Sequence, residues 1–193
     1  MNLVLEPNTV IGDCLETALG LPIYVELVDS VRDKSAFSGE KAAWFQKTYN
    51  AFYRVRQRRP EWYGTYYRLM REQAEKNRSF EALLRELLPL GMLEVSFTSK
   101  LMATVDPNRP IWDQYVLKAL DKNREWIGFS GRSQEERLGK AVEIYDNIEQ
   151  WYAAFLNSPT GRACIARFDE ILPSYATRVS DVKKVDYMLV NRR

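Results

Sequence analysis

The sequence predicts an all-α fold: one compact multi-helix domain over residues 1–193, with two lobes at roughly 1–88 and 89–193 as the alternative division. Three observations carry this. Apolar residues return every three or four positions through most of the chain. Prolines and small polar residues stand at the ends of these stretches, as helix caps do. No alternating run has a neighbour to pair with, and an isolated strand leaves its backbone amides unsatisfied. Connections this short fit roughly eight to ten helices better than the fewer, longer helices of an up-down bundle.

In order, residues 1–11 read as an extended lead-in around Pro7, and Gly12 to Leu19 as a short helix stopped by Gly20. Over 23–32, Ile23, Val25 and Leu27 alternate like a strand, while Tyr24, Leu27, Val28 and Val31 repeat like a helix. Helix is favoured because no partner strand is nearby. Ser38 is the N-cap of a helix from Gly39 to about Gln57, with Ala42, Phe45, Tyr49, Phe52 and Tyr53 at helical spacing. Pro60 opens the next, toward Lys76, with a stripe of Tyr63, Tyr66, Tyr67 and Met70. Ser79 starts a short helix, Phe80 to Leu87, which ends at Pro89-Leu90-Gly91.

Glu94 to Val105 follows, with Phe97, Leu101 and Val105 on one face and the small Ser96, Ser99 and Ala103 elsewhere. Pro107 ends it, because proline breaks the hydrogen-bond ladder. Pro110 opens a helix with Asp113 in its first turn, and Trp126 to Arg132 reads as a loop. Ser133 and Glu136 form a capping box for a long helix to about Leu156. Ser158-Pro159 starts another through Ile171, and Ser180-Asp181 starts the last, before the basic tail Asn191-Arg192-Arg193.

Composition narrows the chemistry. The chain has no histidine, which removes Ser-His-Asp and Cys-His catalysis and the usual zinc sites. Cys14 and Cys164 have neither metal-ligand spacing nor a CxxC motif and read as reduced thiols of a cytoplasmic protein. No apolar run approaches the ~18 residues of a membrane span. No glycine-rich phosphate loop or ligand cluster stands out, so neither cofactor nor metal is expected. A net charge of +2 neither demands nor excludes a nucleic-acid partner.

Local features say more. Between Arg54 and Arg71, the arginines 54, 56, 58, 59, 68 and 71 face Glu61 alone, a net +5 interleaved with aromatics. Such a patch attracts phosphate, and exposed tyrosines there would stack on unpaired bases. Helical spacing favours the other reading for the tyrosines, a core stripe with the arginines as its solvated flank. Asp113, near a helix start, lies where the dipole favours a carboxylate, although aspartate is common there without any chemistry. Lys100, near an apolar face, is a candidate nucleophile or a side chain that snorkels to solvent.

Leu88-Pro89-Leu90-Gly91-Met92, a helix rich in small residues, and then Pro110-Ile111-Trp112-Asp113-Gln114-Tyr115-Val116 together resemble the helix-hairpin-helix DNA glycosylase superfamily. The oxoguanine-glycosylase-like members, with an LPGVG-like hairpin and a PVDxHV-like motif, are the most similar. Ser180 to Tyr187 also looks like the last helix of some bacterial members. The resemblance implies that Asp113 stabilises the oxocarbenium-like sugar as the N-glycosidic bond breaks. It implies that amides around Gly91 hold a DNA phosphate, supported by Arg54, Arg56, Arg58, Arg59 and Arg109. The flipped base would stack on Trp112 or Tyr115.

Two departures stand out. The hairpin keeps one of its two glycines, and the position of the family's lyase lysine is taken by Glu94-Val95-Ser96, with Lys100 about two turns away. Double-stranded DNA is the partner the resemblance implies, and these departures argue against Schiff-base lyase chemistry. The alternatives are a non-catalytic DNA-binding module of the same fold, or a helical module whose Arg/Tyr surface meets a protein.

Overall fold

The computed structural model describes residues 20–190, and these contain ten α-helices and no strand: the fold class is all-α. The lead-in, the helix expected at Gly12 to Leu19, Cys14 and the basic tail lie outside the described residues. Among those described, no helix is long and apolar enough to cross a membrane. By contacts the chain groups into a first unit, Leu19–Asp106, and a second from Pro107 onward. The Pro89–Gly91 turn, where the sequence set its lobe junction, lies inside the first.

In the first unit, α1 (Leu21–Arg32) settles the ambiguous stretch as helix. Tyr24, Leu27, Val28 and Val31 are buried, whereas Ile23 of the competing alternation is exposed. Pro22 sits in the first turn, where its missing amide costs no hydrogen bond. Next, α2 (Gly39–Phe52) stops well short of Gln57. Arg54 adopts φ 54°, and two bonds close the helix: Arg54 N–H to Ala51 O and Val55 N–H to Asn50 O. This is the paired C-terminal motif usually built on glycine. Residues 54–59 are thereby freed as a turn. Ser38 does occupy the N-cap position, but its hydroxyl makes no capping bond.

Two local signals act as expected in α3 (Pro60–Lys76) and α4 (Phe80–Leu87): Pro60 opens the first, and the Ser79 hydroxyl accepts from Ala82 N–H at 3.2 Å in the second. A 3-10 turn, Leu88–Leu90, closes on Gly91 at φ 96°, a conformation that suits glycine. Glu94 then holds the N-cap position of α5 (Val95–Val105), its side chain making no capping bond. Its small residues are not its outer side: Ser99 and Ala103 are buried, and Phe97 and Val105 only half so. Small side chains let α5 pack closely among α1, α3 and α4. An aromatic cluster fills this unit, with Phe45, Tyr49, Tyr66 and Tyr67 all buried. Tyr49 and Tyr66 share a hydroxyl bond of 2.7 Å, and Tyr66 is bonded to Phe97 O at 2.8 Å.

The second unit begins with an extended stretch into α6 (Gln114–Ala119), so Pro110 does not open that helix. The short α7 (Asn123–Ile127) takes in the start of the expected loop. The capping box forms at α8 (Gln134–Asn157): Glu136 N–H donates to Ser133 Oγ, and Ser133 N–H donates back to the Glu136 carboxylate. Then come α9 (Pro159–Ile171) and α10 (Asp181–Val190). A Cβ at Gly161 would lie 1.9 Å from Phe155 O, so the turn between α8 and α9 needs glycine there. Leu138, Ile144, Tyr145, Ile148 and Tyr152 of α8 form an inner stripe, buried like Val182, Val185 and Met188 of α10.

Candidate nucleic-acid interface and carboxylate sites

The early end of α2 decides the character of the arginine cluster. Arg54, Arg56 and Arg59 stand on the turn, exposed, and make no ion pair among the described residues. Arg71 of α3 is likewise exposed and unpaired, while Arg68 pairs with Glu72 at 2.8 Å and with Glu86 at 3.6 Å. The core-stripe reading holds for two of the tyrosines. Tyr66 and Tyr67 are core, and three arginines of the turn have no acidic partner among the described residues.

Beside the turn lies an open cleft of about 920 Å³, lined among others by Arg58, Arg59, Trp62, Gly91, Met92 and Glu94. Arg58 differs from its neighbours. Its Nη2 straddles the Glu94 carboxylate, 3.3 Å from Oε1 and 3.4 Å from Oε2. The guanidinium also lies 5.6 Å from the ring centres of both Trp62 and Phe97, within cation–π range. Trp62 donates its indole N–H to Glu94 Oε1 at 3.0 Å and stacks on Tyr66 at 4.5 Å. Burial pushes the Glu94 carboxyl up, against the opposing pull of Arg58 and the indole. Gly91 lines the cleft too, but its amide donates to Leu88 O at 3.0 Å, inside its own turn. Lys100, on α5, holds its ammonium over Phe97 at 5.1 Å and Tyr53 at 5.7 Å.

The second unit contains the other candidates. Asp113 is the N-cap of α6, not a first-turn residue. Its Oδ1 accepts from Tyr115 N–H at 2.8 Å and Val116 N–H at 3.1 Å, satisfying two amides that open a helix. Oδ2 accepts no hydrogen bond from the described residues, and the side chain is half-buried. Arg109 is paired with Glu149 at 3.1 Å, so it is not a spare cation. Trp112 is buried, edge-on to Trp126 at 5.2 Å. An enclosed ring offers no face to a base, which corrects the stacking expectation for Trp112. Tyr115 is half-exposed.

A buried polar group that the sequence reading missed lies in the same unit. Tyr152 donates its hydroxyl to Asp186 Oδ1 at 2.6 Å, and Lys183 Nζ lies 3.5 Å from Oδ2. Burial pushes Asp186 up to about 6; Lys183 and Tyr152 pull it back, and the charge of Asp113 adds to the rise. Because the folded value exceeds the ordinary 3.8, folding favours the neutral acid. That stabilisation is complete below about pH 4 and is lost as pH rises through about 6. Its size is on the order of 3 kcal/mol. Denaturant melts at a series of pH values should therefore show wild type losing stability relative to Asp186→Asn across this window. Parallel pH profiles for the two proteins would remove Asp186 as a cause.

Glu94 and Asp186 each leave one sequence signal, an acid inside an otherwise apolar run: Met92-Leu93-Glu94-Val95 and Val185-Asp186-Tyr187-Met188. No family model, curated protein or solved structure matches the chain.

Proposed function

We propose that this protein binds double-stranded DNA through the arginine turn, and that it acts on that DNA as a base-excision N-glycosylase with Asp113 as its carboxylate. One observation carries the binding. Arg54, Arg56 and Arg59 stand within six residues, exposed and without acidic partners among the described residues, while Arg58 and Arg68 are paired. Unpaired guanidiniums held together on one turn suit a polyanion, which gains from the counterions they displace. The resemblance to helix-hairpin-helix glycosylases supplies the finer part. The thiol of Cys164, buried in the second unit, accords with a reducing cytoplasm as the setting.

The chemistry asked of Asp113 is modest. The C1′–N bond breaks with its electron pair leaving on the base, water adds at C1′, and the proton of that water ends on the departing base. A carboxylate within reach offsets the positive charge that grows on the sugar. Asp113 holds Oδ1 in the cap and keeps Oδ2 uncommitted among the described residues, which suits that task. Asparagine caps helices about as well as aspartate, whereas alanine costs about 1 kcal/mol. Asp113→Asn should therefore melt like wild type yet release no base from a panel of lesion-bearing duplexes, and Asp113→Ala should lose both base release and stability. Wild-type levels of base release by Asp113→Asn would exclude the carboxylate from the reaction.

A second reading, a DNA-binding module without catalysis, is favoured by the Gly91 amide, which is engaged with Leu88 O and so is not offered to a phosphate. Duplex binding with no base release from any lesion would select it.

A further inference from the structure

Glu94 is a buried acid whose charged partner among the described residues is Arg58, from the arginine turn. Arg58 is poised between two environments. One side of its guanidinium lies on Glu94, and among the described residues Nη1 reaches only the thioether of Met92, at 4.0 Å, on the open cleft. A sulfur acceptor is weak, so Nη1 keeps donor capacity for an oxyanion. The ring faces of Trp62 and Phe97 hold the guanidinium where it is, and the indole N–H holds the carboxylate beneath it.

We propose that Glu94 is a latch on Arg58: as the carboxylate it keeps the guanidinium inside the cleft, and as the neutral acid it yields that guanidinium to a DNA phosphate, so that duplex affinity rises with acidity. The inference rests on the DNA-binding reading. A phosphate and the Glu94 carboxylate compete for the same cation, so binding one disfavours the charge of the other and DNA binding takes up a proton. The surrounding groups permit this. Arg58 comes from the turn, the Trp62 indole and the Tyr66 phenol come from α3, and Arg59 and Glu61 line the cleft. Burial pushes the Tyr66 phenol well above its ordinary range, so it stays neutral. Burial shifts the Glu94 carboxyl itself upward, against the pull of Arg58 and the indole.

The test is the affinity of the full chain for a short labelled duplex, measured by fluorescence anisotropy from about pH 5 to about pH 8 at fixed salt. Wild type should bind about tenfold more tightly at the acid end, the gain from one more phosphate contact at ~0.1 M salt. Glu94→Gln should bind at every pH as wild type does in acid, with a salt slope steeper by about 0.9. Arg58→Gln should show neither the gain nor its pH dependence. The Trp62 indole N–H resonance, identified by Trp62→Phe, should move with pH in wild type and stay constant in Glu94→Gln, which also reports that the variant is folded. Duplex binding with equal affinities and pH profiles for wild type and Glu94→Gln would overturn the latch alone, as would a pH dependence retained in Arg58→Gln. No duplex binding by any of the proteins at any pH would overturn the DNA-binding reading and the latch with it.

Discussion

Glutamine at Arg54, Arg56 and Arg59 together is expected to lower duplex affinity by about 10²- to 10³-fold at ~0.1 M salt, because each phosphate contact contributes about 0.9 to the salt exponent. The same triple variant should fold and melt like wild type. The three side chains are exposed and make no ion pair among the described residues, so nothing in the described interior loses a partner. Arg54 occupies a left-handed position at φ 54°, which is no worse for glutamine than for arginine. Arg68→Gln is the control, since that guanidinium is already committed to Glu72 and Glu86. Titrations in a salt series should give a shallower slope for the triple variant and an unchanged one for the control. Wild-type affinity in the triple variant would mean that DNA, if bound, is bound elsewhere.

Trp62→Ala is expected to be the most destabilising single change in the first unit, at about 3–5 kcal/mol, the usual cost of removing a buried large aromatic. The ring is 4% exposed, lies flat on Tyr66 and meets Phe97 edge-on at 5.7 Å. Its loss also takes away the indole N–H that Glu94 accepts, and a buried carboxylate short of a donor adds its own penalty. Trp62→Phe separates the two parts, since it keeps a ring in the stack and removes only the donor. A denaturant melt should rank wild type above Trp62→Phe and Trp62→Ala lowest. Equal midpoints for wild type and Trp62→Phe would show that Glu94 does not depend on the indole.

The two predictions draw on one arrangement. The turn that exposes Arg54, Arg56 and Arg59 also delivers Arg58 and Pro60 to the cleft, and Trp62 of α3 holds down the acid that Arg58 covers. Arginines adjacent in sequence thus have opposite environments. Substituting Arg59 should affect binding alone, whereas substituting Arg58 touches the fold as well.

Sequence by itself determined the helical class and the elements whose ends are set within a few residues. The Ser133–Glu136 box, the Ser79 and Ser158 caps and Pro60 all act over one turn, and α3, α4, α8 and α9 begin where these signals stand. Periodicity likewise picked out Tyr66 and Tyr67 of α3 as facing inward, whereas Tyr63 of the same stripe is only half-buried. Tertiary structure alone decided the rest. The end of α2 depends on Arg54 accepting a glycine-like conformation, which residue type argues against. The burial of Ser99 and Ala103 depends on how closely other helices approach α5. The pairs that define the candidate sites join residues far apart in the chain: Trp62 with Glu94 across 32 positions, and Tyr152 with Asp186 across 34. A helical pattern states which face of an element is buried, but not what is buried against it, and it is the partner that makes Glu94 or Asp186 more than an acid out of place.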